Sequence, residues 1–130
     1  MGSKMSAVQE EGVVLWSRSV LLPVVLGIIA AEGESHGYRI KQLIERAGLR
    51  RPADGALYPL LREAEDINLL YSSWRREETK PDRLVYRLTP EGVRRLRAER
   101  QLWSTFIRDV SRLLKAGAIA VDDFDRDSDE

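Results

Sequence analysis

The apolar residues of this chain change period twice, and that succession constrains the fold more than any single motif. From Leu22 to Ile67 they recur at helical spacing, and from Leu70 to Leu88 they read as strands. From Val93 to Leu114 the helical spacing returns with a seven-residue repeat. The first helix covers Leu22 to Ala31, with Pro23 tolerated in its first turn and Gly33 at its end. Ser35 is the expected cap of a second helix, His36 to Ala47, whose stripe is Ile40, Leu43, Ile44 and Ala47 and whose stop is Gly48. A third helix is predicted from Gly55 to Ile67, capped by Asp54, with Leu57, Leu60, Leu61, Ala64 and Ile67 on one side. Asn68 suits the left-handed residue that ends it. Strands are expected at Leu70 to Arg75 and Arg83 to Leu88, around a polar loop from Arg76 to Asp82.

Thr89-Pro90-Glu91 is a strong helix start: a cap residue, a proline at the first helical position, then an acid. The helix it opens is predicted to end near Ala116, which makes it about 40 Å long. Leu96, Trp103 and Val110 repeat at one heptad position, Phe106 and Leu113 at another, and Ile107 and Leu114 lie beside them. So long an apolar stripe at one end of a small domain asks for a partner, most simply a second copy of the chain. Leu96, Trp103, Phe106, Ile107, Val110, Leu113 and Leu114 are therefore the candidate dimerisation residues.

Composition removes several classes of function. With 130 residues there is room for one compact domain and a tail. With no cysteine and one histidine, disulfide frameworks, thiolate metal sites and histidine-rich metal centres are excluded, and a catalytic triad is disfavoured. No nucleophile–base pair, phosphate-cradling glycine loop or metal-ligand cluster is visible, so neither an enzyme nor a cofactor is expected. The apolar run Val20 to Ala31 is too short to span a bilayer, and the leader before it contains Glu10 and Glu11, unlike a signal peptide. A cytoplasmic protein is the expectation.

The formal net charge is zero, from 21 basic and 21 acidic residues, but the charges are segregated. Residues 35–88 are net +3 and residues 89–115 net +4, whereas residues 116–130 are net −5. The organisation read from these patterns is an arm at 1–18, a domain at 19–88, a dimerisation helix at 89–116 and an acidic, disordered tail at 117–130.

Three helices, a hairpin and a long helix make a mainly α, α+β layout: a winged helix-turn-helix. Its third helix would enter the major groove of double-stranded DNA, led by Asp54, Gly55 and Ala56, with Tyr58 and Arg62 on its outer face. Arg75, Arg76, Lys80 and Arg83 on the hairpin, with Arg39 and Lys41 on the second helix, would meet phosphates. Arg62 has an alternative in an i,i+3 pair with Glu65. Trp103 and Phe106 read either as dimer core or as aromatics that line an effector cavity, with Trp16 joining them if the arm folds over. A winged helix that binds protein instead of DNA is the other functional class left open.

Ala30-Ala31-Glu32-Gly33 followed by His36-Gly37-Tyr38 resembles the opening of PadR-type transcriptional regulators. Gly55-Ala56-Leu57-Tyr58-Pro59-Leu60-Leu61-Arg62 is similar to that family's recognition helix, and Arg83 to Gly92 to its strand-to-helix run. The resemblance implies a homodimeric regulator, usually a repressor, that binds a pseudo-palindromic operator. It also implies dimerisation through the C-terminal helix and release by a small hydrophobic or phenolic effector. Ala53 and Ala56 stand where the family usually carries hydroxyl residues, and Ala64 and Asn68 where it carries Leu and Gly.

Overall fold

The structure is a computed structural model that describes residues 16–128. The elements follow as α1 (Arg18–Glu32), α2 (Gly37–Arg46), α3 (Asp54–Asp66), β1 (Leu70–Glu77), β2 (Lys80–Leu88) and α4 (Pro90–Ser128). Two compact units divide between Leu96 and Arg97, eight residues beyond the boundary expected from the strand end.

In the first unit, α1 supplies the centre. Leu21, Leu22, Val25, Leu26 and Ile29 are all buried, against Ile40 and Ile44 of α2, Leu57, Leu60, Leu61 and Ala64 of α3, and Leu70 and Tyr86 of the hairpin. The helical stripes read from the sequence thus form the core, except at their last positions, Ala47 and Ile67, which are exposed. Helix α1 starts four residues earlier than expected, which places Pro23 inside it. The backbone N–H groups of Val20 and Leu21 bond the Ser17 carbonyl at 3.1 and 2.9 Å. Burial of Leu21 and Leu22 outweighs the bond that the proline ring removes.

Gly33, Gly48 and Asn68 take positive φ angles of 80°, 87° and 64°, as the helix-ending positions require. Helix α2 is capped by His36, not by the expected Ser35. Ser35 is committed elsewhere: its N–H and C=O pair with the C=O and N–H of Tyr86, at 3.1 and 2.8 Å. That bridge stitches the α1–α2 connection to β2. Asp54, expected as a cap, is instead the first residue of α3, and Ala53 holds the cap position without a side-chain bond.

The hairpin is antiparallel, with Leu70 opposite Leu88, Ser72 opposite Tyr86 and Trp74 opposite Leu84. It is longer than the sequence suggested. Both strands run through the expected polar loop and leave Glu78 and Thr79 as the tip. Arg76, Glu77, Lys80 and Asp82 carry no apolar alternation to announce a strand. Backbone pairing and the ion pairs Arg76–Asp82 and Glu77–Lys80 extend it instead.

Thr89 caps α4: its hydroxyl accepts from Gly92 N at 3.0 Å and donates to the Asn68 carbonyl at 2.6 Å. A Cβ on Gly92 would collide with the Leu69 carbonyl oxygen, so glycine is required where the helix start approaches the end of α3. Helix α4 then continues to Ser128. This corrects the expected stop at Ala116 and, for residues 117–128, the expected disorder of the tail. Ala116, Ala118 and Ala120 are strong helix formers, and the cost of Gly117, about 1 kcal/mol, does not break the run. The Ser128 hydroxyl donates to the Asp125 carbonyl at 3.0 Å in the last turn. Residues 1–15, most of the expected arm, lie outside the described residues.

Candidate nucleic-acid interface

One surface of the first unit gathers α2, α3 and the hairpin. Gly37 and Tyr58 fix the angle between the two helices. A Cβ on Gly37 would overlap the Tyr58 ring, standing 2.9 Å from its Cζ and Oη. Glycine therefore lets α2 touch the aromatic face of α3.

Lys41 lies where these helices meet, and it departs from expectation. Read as an outward-facing cation, it is only 6% exposed. Its Nζ donates to Asp54 Oδ1 at 2.7 Å and sits 5.2 Å from the centre of the Tyr58 ring. The Asp54 hydrogen bond raises the Lys41 pKa above its ordinary value. Helical spacing suggests that Lys41 lies on a face away from the α2 stripe, but Asp54 and Tyr58 of α3 meet it there and cover it. This pair anchors the start of α3 and holds the exposed Gly55 and half-buried Ala56 at the helix's open end.

Arg62 is exposed on the outer face of α3. Among the described residues, no carboxylate lies within ion-pairing distance of it. The alternative pair with Glu65 does not form, because Glu65 Oε1 accepts from the Ser72 N–H at 3.0 Å and from its hydroxyl.

The remaining cations of this face are matched to acids. Arg39 pairs with Glu32 at 2.9 Å, and Arg75 with Glu34 at 2.6 Å. Arg83 pairs with Glu77 and also donates to His36 Nε2 at 3.2 Å. Lys80 reaches Glu77 at 3.8 Å. Arg76 is the most exposed of them, with 85% of its side chain open to solvent and Asp82 at 3.7 Å.

Glu34 is a residue the sequence reading passed over. It accepts from Arg75 and from Arg87 Nε and Nη2, at 2.9, 3.1 and 2.7 Å. The Arg87 and then the Arg75 hydrogen bonds lower its pKa. Its partners lie 41 and 53 residues away, beyond any local signal. Trp74, 67% exposed beside Arg75 and Arg76, was also missed. His36 has Arg39 N 3.4 Å from its Nδ1. Burial first, then Arg83 and Arg39, lowers its pKa. A neutral ring offers one acceptor nitrogen, so it serves one of these two donors at a time.

The proposed effector aromatics fall in different units. Trp16 donates to the Arg50 carbonyl at 2.5 Å. It lines a cleft of about 230 Å³ with Leu21, Ala56 and Pro59. In the second unit, Trp103 and Phe106 meet edge to face, with ring centres 5.7 Å apart. With Leu102 they line a shallow depression of about 260 Å³. Of the dimerisation residues, Phe106, Ile107, Leu113 and Leu114 are 56 to 75% exposed, and Val110 and Trp103 are half-buried. Leu96 is the exception. It packs on the first unit's core, 4.0 Å from where a Gly27 Cβ would stand. No helix among the described residues is long and apolar enough to cross a membrane.

No curated protein matches the chain, but solved structures do. It is 30% identical to a PadR family transcriptional regulator from Eggerthella lenta DSM 2243, with a TM-score of 0.68 over 88% of this chain and 97% of that one. A PadR-like transcriptional regulator from Bacillus cereus strain ATCC 14579 is 27% identical, with a TM-score of 0.64 over 73% and 91%. The circadian clock associated protein Pex from Anabaena is 25% identical, with a TM-score of 0.59 over 70% and 80%. Residues 25–98, more than half of the chain and nearly all of its winged-helix core, match the PadR-like family, and the chain belongs to that family of transcriptional regulators.

Proposed function

We propose that this chain is a sequence-specific DNA-binding regulator that acts as a homodimeric repressor on a pseudo-palindromic operator. The observation that carries the reading is Arg62, an exposed cation on the outer face of α3, one turn beyond Tyr58, with no carboxylate partner among the described residues. Small residues at the start of α3 allow close approach to a major groove, and Arg62 is suited to a bidentate guanine contact or a phosphate. Arg39 on α2 and Arg75, Arg76, Lys80 and Arg83 on the hairpin would exchange carboxylates for phosphates on binding. Lys41 contributes by holding Asp54 and the start of α3.

Dimerisation is assigned to the exposed stripe of α4 from Trp103 to Leu114. A small hydrophobic or aromatic effector would rest on Trp103 and Phe106, with Trp16 as a contributor if the arm reaches them. Such a ligand relieves repression only if it prefers one arrangement of the two recognition helices over another.

The test is selective retention of genomic DNA fragments on the purified protein at about 150 mM salt, followed by sequencing. A few enriched inverted repeats are expected. Arg62→Ala should weaken binding to them by about 1–3 kcal/mol and relax discrimination at one base pair of each half-site. No enrichment at this or at lower salt would favour a winged helix that binds protein.

A further inference from the structure

Helix α4 ends in a way that its own composition disfavours. Asp122, Asp123, Asp125 and Asp127 lie in its last two turns, with Arg126 as the one cation there. Carboxylates at a helix C-terminus oppose the macrodipole, and at neighbouring positions they repel one another. Among the described residues, none of the four has an ion-pair partner.

The other end of this unit carries the opposite charge. Residues 97–115 hold five basic and two acidic residues, and residues 116–128 hold one and four. Arg108 and Arg112 are matched by Asp109, at 3.7 and 3.6 Å. Arg97 and Arg100 have no ion-pair partner among the described residues.

The apolar stripe connects the two charged ends. Trp103, Val110, Gly117 and Phe124 are spaced by seven, and so are Ile107, Leu114 and Val121. Val121 and Phe124 are 59 and 72% exposed. The stripe therefore runs past Leu114 into the acidic end, and its midpoint falls between Leu113 and Leu114.

We infer that a second copy of the chain covers this stripe in the antiparallel sense, with the acidic end of each α4 lying along the basic end of the other. Two-fold pairing about the midpoint sets Phe124 against Trp103 of the second copy and Val121 against Phe106. It also brings Asp125 level with Arg100 of the second copy to within about 3 Å along the helix axis, on the same flank of the stripe. Each basic end then relieves the repulsion among the carboxylates it faces. A parallel pair would place the four aspartates beside four more and the unpaired arginines beside their own counterparts, which like-charge repulsion opposes. The inference rests on the homodimer of the proposed function. It adds the sense of the pairing and a role for residues 116–128.

The chain has no cysteine, so Gln101→Cys offers a single exposed site for a nitroxide label on the full chain. The distance between the two labels is read by pulsed electron spin resonance, at a concentration where sedimentation equilibrium shows a dimer. Antiparallel pairing about the midpoint predicts about 40 Å, and parallel pairing in register about 20 Å. Arg100→Asp and Asp125→Arg should each raise the dimer dissociation constant at least fivefold. The double variant should restore it to within twofold, which a merely structural role of either residue would not produce. The distance needs neither substitution, so it stays decisive even where a charge variant loses helix by circular dichroism.

The shorter distance would overturn the inference and leave the homodimer standing. A double variant no better than the single ones, with its helix intact, would take these charges out of the pairing and overturn it as well. A chain that stays monomeric up to millimolar concentration would overturn both the inference and the homodimer.

Discussion

Helices α1 and α4 both carry a series of large apolar side chains, and only α1 hides them. Leu21, Val25, Leu26 and Ile29 are at most 1% exposed. Phe106, Leu113, Leu114 and Phe124 on α4 are each more than half exposed. The difference is one of wrapping. Helix α1 is surrounded by α2, α3 and the hairpin, so it is apolar on nearly every side, as a central helix must be. Helix α4 gives Gly92 and Leu96 to that same core and then runs on with a one-sided stripe. Apolar residues in α1 therefore stabilise the fold of a single chain. Those beyond Leu96 are free to stabilise an assembly, and a change in each region should be read by a different instrument.

The largest expected effect is in α1. Leu26→Ala should cost about 2–5 kcal/mol in urea unfolding, because its side chain is fully buried and the cavity can relax only in part. A loss under about 0.5 kcal/mol would break the contrast at its stronger end. Next comes the stripe of α4. If the proposed dimer forms through it, Leu113→Ser should raise the dissociation constant at least tenfold in sedimentation equilibrium, while the circular dichroism stays native. Unchanged association would remove this stretch from the interface.

A third change addresses the end of α4. A Cβ at Gly117 meets open space, so Gly117→Ala should stabilise the helix by about 0.5–1 kcal/mol and raise helical ellipticity. No gain in ellipticity would mean that residues 117–128 spend their time outside the helix. The smallest effect belongs to the interior again. The lowered pKa of His36 means that the unfolded chain binds a proton more readily than the folded one. Its contribution to stability is full above the ordinary histidine value of about 6.5 and is lost as pH falls below it. Melting temperatures between pH 7.5 and 5.5 should fall less steeply in His36→Asn than in the parent. Equal slopes would assign the acid sensitivity to other groups.

Much of the architecture was legible because its signals are local. The stripes Ile40–Leu43–Ile44 and Leu57–Leu60–Leu61–Ala64 point one face of a helix inward whatever lies opposite. Gly33, Gly48 and Asn68 announce left-handed turns through their own backbone freedom. The hairpin's outer half was not legible, since strands that are polar on both faces show no period of two. The end of α4 was missed for a related reason: its acidic composition outweighed the helix-forming alanines in the reading.

The candidate site was legible as an inventory and not as a geometry. Arg39, Arg62, Arg75, Arg76, Lys80 and Arg83 were recognised as cations on the correct elements, but which of them holds a carboxylate depends on contacts between distant segments. Lys41 meets Asp54 across 13 residues, and Glu34 meets Arg75 and Arg87 across 41 and 53. The sequence by itself determined the order of elements, their buried faces and their turns, because period, helix propensity and backbone freedom act within a few residues. Only the tertiary structure decided that Lys41 is an internal anchor, that Arg62 has no carboxylate partner among the described residues and that a cleft opens beneath the wing. Each of those outcomes depends on what a second, distant element brings within a few ångströms.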